Sequence, residues 1–140
     1  MIDVNELFKK IAVREASIGW DALTAAERTI VDAMLLWYEV GNGGFVQYFF
    51  NSVGDYAHEA PSAFREIGAL LTAEVVEQAN ALFGPNGPNR DRRKRQRQLK
   101  SFPESHLAKL NELDPSIYDG PEDIEDLLSD FAERNGLDKL

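Results

Sequence analysis

The amino-acid sequence predicts an all-α protein, a single-domain, multi-helix globular bundle spanning residues 1–140. Apolar residues recur at spacings of three and four through most of the chain, which is the period of amphipathic helices. Only one short segment resembles a strand, and no second segment of alternating apolar residues is present to pair with it. No cysteine is present, which excludes a disulfide scaffold, a thiolate metal site and a cysteine nucleophile. The fold must therefore depend on a packed hydrophobic core.

The N-terminal part of the chain predicts two helices. An apolar stripe from Val4 to Ala12 indicates the first. Thr24 precedes Glu27 at the spacing of a capping box, in which each side chain satisfies a backbone N–H of the other residue, so the second helix is expected to begin there. Apolar residues cover a wide arc of this second helix. We expect it to be the central element of the core and to end near Gly41.

The aromatic segment 45–50 has the composition of a strand, but a lone strand would leave its backbone groups unpaired. We therefore predict a short buried helix here. Together with the end of the preceding helix it forms a buried central motif around residues 37–51.

Two more helices are expected after this motif. Thr72 is the predicted N-cap of one helix, which Gly84 and Pro85 end. A row of leucines over residues 107–113 indicates the next helix, which is expected to stop before Asp114-Pro115.

The last helix has the clearest pattern. Pro121 suits its first turn, apolar residues between Ile124 and Phe131 form its buried face, and Gly136 suits its C-terminal cap.

The net charge of −9 is unevenly distributed along the chain. Residues 1–89 carry a formal charge of −7, residues 90–100 carry +6, and residues 101–140 carry −8. An acidic body disfavours binding to nucleic acid, whereas the basic segment favours it locally. The segment 90–100 is expected to be an exposed helix or a loose loop. Its candidate contacts for nucleic acid or for an acidic protein surface are Arg92, Arg93, Arg95 and Arg97.

Acidic residues follow one stripe of the last predicted helix, opposite its apolar face. Successive members rise by roughly 6 Å along a helix, whereas duplex DNA carries about one charge per 1.7 Å. A DNA-like surface would therefore need carboxylates from other helices as well. The candidate acidic interface comprises Glu122, Asp123, Asp126, Asp130 and Glu133. The candidate contributors from elsewhere are Asp119, Glu104, Glu112, Glu74 and Glu77.

The most distinctive stretch combines an Asn-Gly-Gly-Phe turn, a Gln-Tyr-Phe element and an Asn-Ser-x-Gly-Asp step. The glycines tolerate the positive φ of a sharp turn between helices, and the aromatic residues are expected to fill the core against Trp37. Gln47 and Asn51 share a helix face and are expected to bond loop backbone groups. We interpret this motif as mainly structural, with a pocket of Asn42, Gln47, Tyr48 and Asn51 as the alternative. Its residues are Asn42, Gly43, Gly44, Phe45, Gln47, Tyr48, Phe49, Asn51, Gly54 and Asp55.

This motif resembles that of a bacterial domain family of largely unknown function, and the resemblance covers residues 24–135. It implies an all-helical fold. One member of that family is described as a DNA mimic whose acidic surface occupies the DNA-binding face of a helix-turn-helix transcription factor. The resemblance therefore implies a protein partner that binds DNA.

Signatures of catalysis are sparse. His58 and His106 lack the spacing that places two metal ligands on one helix face, and no serine lies in a nucleophile elbow. No phosphate-binding loop or calcium-binding loop is present. We expect a non-enzymatic protein without metal or cofactor. The absence of a long apolar run and of a signal-peptide pattern favours a cytoplasmic protein without membrane contact.

The leading hypothesis is an acidic protein-interaction module that binds a basic protein, with a DNA-binding regulator as the partner that the resemblance implies. The first alternative is a weak nucleic-acid binder that uses residues 90–100. The second is a small-molecule binder or enzyme centred on residues 42–51. A second copy of the chain is a further candidate partner.

Overall fold

A computed structural model describes all residues 1–140 and confirms the all-α prediction. Seven α-helices and three short 3₁₀ helices surround one core of 31 buried apolar residues, and no strand is present. None of the helices combines the length and the apolar character needed to cross a membrane. The α-helices are α1 (Val4–Ile18), α2 (Ala25–Phe50), α3 (Ala60–Glu66), α4 (Leu70–Ala81), α5 (Arg92–Lys100), α6 (Glu104–Tyr118) and α7 (Ile124–Arg134). The 3₁₀ helices are Trp20–Ala22, Ser52–Tyr56 and Leu137–Lys139.

Helix α2 is the central element, as predicted, and it packs against α1, α3, α5, α6 and α7. Its capping box is present: the Thr24 hydroxyl accepts the Glu27 N–H at 3.1 Å, and the Glu27 carboxylate accepts the Thr24 N–H at 2.9 Å. The Glu27 side chain is fully buried and also binds Arg14 of α1, with the Arg14 Nε at 2.6 Å. The cap therefore anchors α1 to α2, a long-range role that the local spacing does not reveal.

The first helical segment extends slightly beyond its predicted end near Gly41. Helical turns continue to Gly43, and Gly44 alone has non-helical angles, with φ 78° and ψ 177°. The short helix expected over residues 45–50 is present and follows this kink without a loop. Its first free N–H, that of Phe45, donates to the Asp114 carboxylate of α6 at 2.8 Å. Because Asp114 caps the second half of α2 from another helix, one glycine is enough to make the turn.

The predicted N-cap at Thr72 is wrong. Helix α4 begins at Leu70 with Ala69 at the cap position, and no capping side chain comes from this segment itself. The cap is Glu122, which reaches α4 from the segment before α7. A long-range contact thus replaces the local one that the sequence favours.

Two further boundaries differ from the prediction. Helix α6 does not stop before Asp114 but runs through Pro115 to Tyr118. Helix α7 starts at Ile124, so Pro121 precedes it, and Asp123 is the N-cap. The expected glycine cap is present just beyond the end of α7, where Gly136 has a positive φ of 71°.

Candidate functional site

Three carboxylates line the exposed side of α7, and we call Asp123, Asp126 and Asp130 the α7 acidic row. Asp123 accepts the Asp126 N–H at 3.0 Å as the helix cap. The charge of Asp123, with smaller contributions from burial and from Asp130, raises the pKa of Asp126 above its ordinary value. All three side chains are exposed, and none has a basic partner within 4.0 Å. The row is therefore a place where like charges repel each other without compensation.

The other two predicted residues of this interface make contacts within the molecule. The Glu122 carboxylate accepts the backbone N–H of Leu71 at 3.1 Å and that of Thr72 at 2.7 Å, as well as the Thr72 hydroxyl at 2.7 Å. Glu133 pairs with the N-terminal amine of Met1 at 3.3 Å. Both contacts join residues far apart in sequence, so no local pattern predicts them.

Further carboxylates lie on the side of α7 that faces α1. The Ile2 N–H donates to the Ser129 hydroxyl at 3.0 Å, which fixes the start of α1 against α7. Burial raises the pKa of Tyr38, and the nearby charges of Glu125 and Asp3 raise it further. These two exposed acids therefore lie near Tyr38 on the α1 side of α7, and the charge of Lys9 opposes theirs.

The acidic residues proposed from elsewhere differ in their availability. Glu77 pairs with Arg65, and Glu112 lies 3.5 Å from Lys109. The exposed residues without an ion pair are Glu74, Glu104 and Asp119.

Arg95, predicted to be part of an exposed basic interface, is fully buried. Its guanidinium lies inside the central motif and is satisfied by four carbonyls and one carboxylate. These acceptors, with their donor–acceptor distances, are Phe49 O (2.6 Å), Asn51 O (2.8 Å), Asn89 O (2.9 Å), Arg90 O (3.3 Å) and Asp55 Oδ1 (2.9 Å). Arg95 therefore holds the motif together and does not contribute to the surface of α5.

This guanidinium also explains the Gly54-Asp55 step of the motif. A Cβ atom on Gly54 would lie 2.8 Å from the Arg95 Nε and 2.7 Å from the Tyr48 carbonyl oxygen, so only glycine fits beneath the arginine. Asp55 supplies the compensating negative charge at 2.9 Å.

The remaining cations of α5 point outward. Arg93, Lys94, Arg97 and Lys100 are exposed, and none has a carboxylate partner within 4.0 Å. Arg92 is exposed as well, and its Nε donates to the Phe50 carbonyl at 3.4 Å. The outer face of α5 therefore retains a basic surface without Arg95.

The polar side chains of the motif bind a carboxylate rather than loop backbone groups. Gln47 donates to the Glu39 Oε1 at 3.1 Å, and the Asn51 amide donates to the same oxygen. Tyr48 is buried in the core, while Asn42 is exposed. None of the three surface depressions of the molecule is lined by these motif residues. The geometry thus favours the structural interpretation of the motif over the pocket.

A buried carboxyl group, Asp32, with the partly exposed Glu59 near it, is a feature that the sequence did not reveal. Asp32 of α2 is 7% exposed, and its Oδ1 has no hydrogen-bond partner; the buried Oε2 of Glu59 also has none. Burial, and then the charge of Glu59, raise the pKa of Asp32 to about 7, while Arg28 opposes this shift. The other Glu59 oxygen binds Arg90 at 2.6 Å. Asp32 is therefore a carboxyl group that changes its charge near neutrality.

Comparison with protein families gave one match: a family model described as DMP19-like protein matches residues 21–135. This range includes α2 with the central motif, α5 and α7. Comparison with curated proteins produced no match, and comparison with solved structures produced none either.

Proposed function

The chain belongs to the DMP19-like protein family, and from this premise we propose that it is a DNA-mimic type of interaction protein. Its acidic surface around α7 binds the basic, DNA-binding face of a protein partner. The observation that carries this proposal is the α7 acidic row, whose three carboxylates are exposed on one helix and have no basic partner within 4.0 Å. A partner rich in arginine and lysine would relieve the repulsion between them.

The shape of the acidic surface supports the same function. Along α7 alone the carboxylates are spaced by roughly 5–6 Å, which is sparser than the phosphates of a duplex. Asp3 and Glu125 add charge on the α1 side of the helix. The surface therefore has width as well as length, and both are needed to face a protein that normally holds two strands.

The proposed activity is binding, without catalysis and without a cofactor. A partner that binds DNA in a bacterium would meet this protein in the cytoplasm.

The experiment is a capture assay with competition by DNA. The wild-type chain is expected to retain a DNA-binding protein from lysate, and added duplex DNA is expected to displace it, since both ligands use one surface. Asp126→Lys with Asp130→Lys reverses two charges of the α7 acidic row and is expected to abolish the capture.

Asp21→Lys with Glu66→Lys is the matched control, because it changes the net charge equally at two exposed positions outside α7 and outside the candidate acidic surface. This control is expected to retain the captured protein. Capture that survives in Asp126→Lys with Asp130→Lys, or that duplex DNA does not displace, overturns the proposal.

A second candidate function is weak binding of nucleic acid by α5. It is supported by the exposed outer face of Arg93, Lys94, Arg97 and Lys100, which has no carboxylate partner. The acidic remainder of the molecule opposes it, because a polyanion approaching α5 is repelled by the net negative charge of the body.

A further inference from the structure

Two adjacent leucines at the start of α4 are exposed to solvent. Leu70 is 60% exposed and Leu71 is 53% exposed, and they are the only sequence neighbours among the exposed large apolar residues of the chain. Single exposed apolar side chains are common on protein surfaces, whereas a contiguous apolar patch indicates a binding surface.

The turn that carries the leucines is held in place by the segment before α7. The Glu122 carboxylate accepts the N–H of Leu71 and both the N–H and the hydroxyl of Thr72, so it fixes the first turn of α4 against the segment that leads into α7. Gly68, immediately before α4, lies beneath α7, since a Cβ on it would be 3.7 Å from the Leu127 side chain. The leucine pair therefore cannot turn into the core without breaking this cap.

Acidic side chains lie near the pair, on α4 and in the segment before α7. Glu74 lies four residues after Leu70 and three after Leu71, which places it on the same face of α4, and it is exposed without an ion pair. Asp123 follows directly on Glu122, and Asp126 lies one turn further along α7. Glu74 therefore lies beside the leucines on α4, and the Glu122 that caps their helix is followed directly by the α7 acidic row.

We propose that this surface, which we call the leucine–acid patch (Leu70, Leu71, Glu74, Asp123 and Asp126), is a docking site for a basic amphipathic helix of a protein partner. The apolar side chains of such a helix cover the leucines, and its lysines and arginines meet the nearby carboxylates. The choice of occupant follows from charge complementarity: a neutral apolar helix would bury the carboxylates unpaired, and a nucleic acid would be repelled by them.

This proposal rests on the proposed function and deepens it. DNA presents no aliphatic side chain to the proteins that bind it through its backbone, so a surface of carboxylates alone would attract basic proteins in general. The leucine pair adds contacts that salt does not screen, and it selects partners that carry an apolar stripe beside their basic residues.

The test uses two synthetic peptides of about 18 residues, built from leucine and lysine in equal composition. One has leucines along a single helix face, and the other has the same residues scrambled. Fluorescence anisotropy measures the binding of each peptide at about 50 mM and about 500 mM salt. Wild-type protein is expected to bind the amphipathic peptide at least about tenfold more tightly than the scrambled peptide, and to retain binding at the higher salt.

Leu70→Ser with Leu71→Ser is expected to remove the binding that persists at high salt. The matched control is Val13→Ser with Ile18→Ser, which changes two exposed apolar residues of α1. This control is expected to bind the peptide as wild type does. Both substituted pairs are exposed, and circular dichroism checks that each variant is folded. Equal affinity for the two peptides, or unchanged binding by Leu70→Ser with Leu71→Ser, overturns the proposal.

Two outcomes separate this inference from the proposed function. If Asp126→Lys with Asp130→Lys loses capture of the DNA-binding protein while Leu70→Ser with Leu71→Ser keeps it, the proposed function stands and the leucine–acid patch is refuted. If sedimentation shows that the wild-type chain associates with itself and that only Leu70→Ser with Leu71→Ser prevents this, the occupant is a second copy and the proposal of a basic helix is overturned.

Discussion

Arg95 and Asp32 are ionisable side chains inside the core, and they differ in the hydrogen-bond partners around them. Arg95 has five acceptors around its guanidinium, including the Asp55 carboxylate at 2.9 Å. Asp32 instead has an unpaired oxygen and the charge of Glu59 nearby. The guanidinium therefore has hydrogen-bond partners inside the core, whereas burial and the charge of Glu59 disfavour the charged form of the aspartate and raise its pKa.

The buried Asp32 predicts that stability falls as pH rises from the acidic range to neutrality. In the folded protein its carboxyl group keeps its proton up to a pKa of about 7, whereas the unfolded chain releases it near its ordinary value of 3.8. Between these values the folded state binds more protons, so the free energy of unfolding decreases with increasing pH and stays lower above pH 7.

Asp32→Asn cannot ionise, so it is expected to remove this slope and to raise the free energy of unfolding at high pH by about 1–3 kcal/mol. Urea unfolding of both proteins between about pH 5 and pH 8 measures the effect. Asp3→Asn is the control, since that carboxylate is exposed, although it also caps α1. Parallel pH profiles for wild type and Asp32→Asn would contradict the prediction.

At the scale of the element, local signals predicted helices well, and long-range contacts set their ends. The Thr24–Glu27 capping box and the apolar face of α7 are read directly from spacing, because both partners lie within one helix turn or on one helix. Glu122 as the cap of α4 is different, since it lies about fifty positions from the N–H groups that it accepts. Local sequence preferences carry no information about a contact between residues so far apart. They therefore favoured Thr72, a capping residue within the same segment.

The candidate site likewise contains residues whose environment the sequence predicts and one residue whose environment it does not. The exposure of Asp126 and Asp130 follows from their position opposite the apolar face of α7, which the helical period predicts. The burial of Arg95 does not follow from its neighbours, since the residues around it in sequence are basic and exposed; its acceptors include carbonyls from the end of α2. A basic run therefore contained a structural residue that only the tertiary fold distinguishes.

The kink in α2 gives a prediction with a matched control in the same helix. Gly44 has a φ of 78°, and a Cβ there would lie 2.5 Å from an oxygen of Asp114. Gly44→Ala is therefore expected to lower the free energy of unfolding by about 2 kcal/mol or more, because it adds backbone strain and displaces the cap of Phe45.

Gly41→Ala is expected to be neutral or to stabilise the protein by up to about 1 kcal/mol, since position 41 is helical and the nearest atom to its Cβ is 4.0 Å away. Chemical denaturation of the two variants measures the difference between their free energies of unfolding. Similar losses of stability in both would show that the kink does not require a glycine at position 44.

The whole molecule separates its charges between helices. The α7 acidic row and Asp3 with Glu125 form the negative side of this distribution, and the outer face of α5 provides the positive side. Because α5 packs on the end of α2 and α7 packs on α1 and α2, both surfaces are fixed to one core. The average charge of −9 therefore describes neither surface.

This separation predicts weak and salt-sensitive binding of DNA. A labelled duplex is expected to bind detectably at about 20 mM salt and not at about 150 mM, because few phosphates are neutralised and the acidic body repels the rest. Arg93→Ala with Arg97→Ala is expected to remove the low-salt binding, while Lys9→Ala with Lys10→Ala on α1 leaves it. Tight binding at the higher salt would favour the second candidate function.

The buried guanidinium of Arg95 also sets an order of events for a growing chain. The carbonyls of Phe49 and Asn51 are synthesised more than forty residues before the side chain that binds them. While α5 is still inside the ribosome, the Arg95 guanidinium is not available. The carbonyls at the end of α2 and in the turn after it therefore lack their hydrogen-bond donor. The central motif thus reaches its final packing late in synthesis, when α5 emerges and Arg95 binds the carbonyls of the motif.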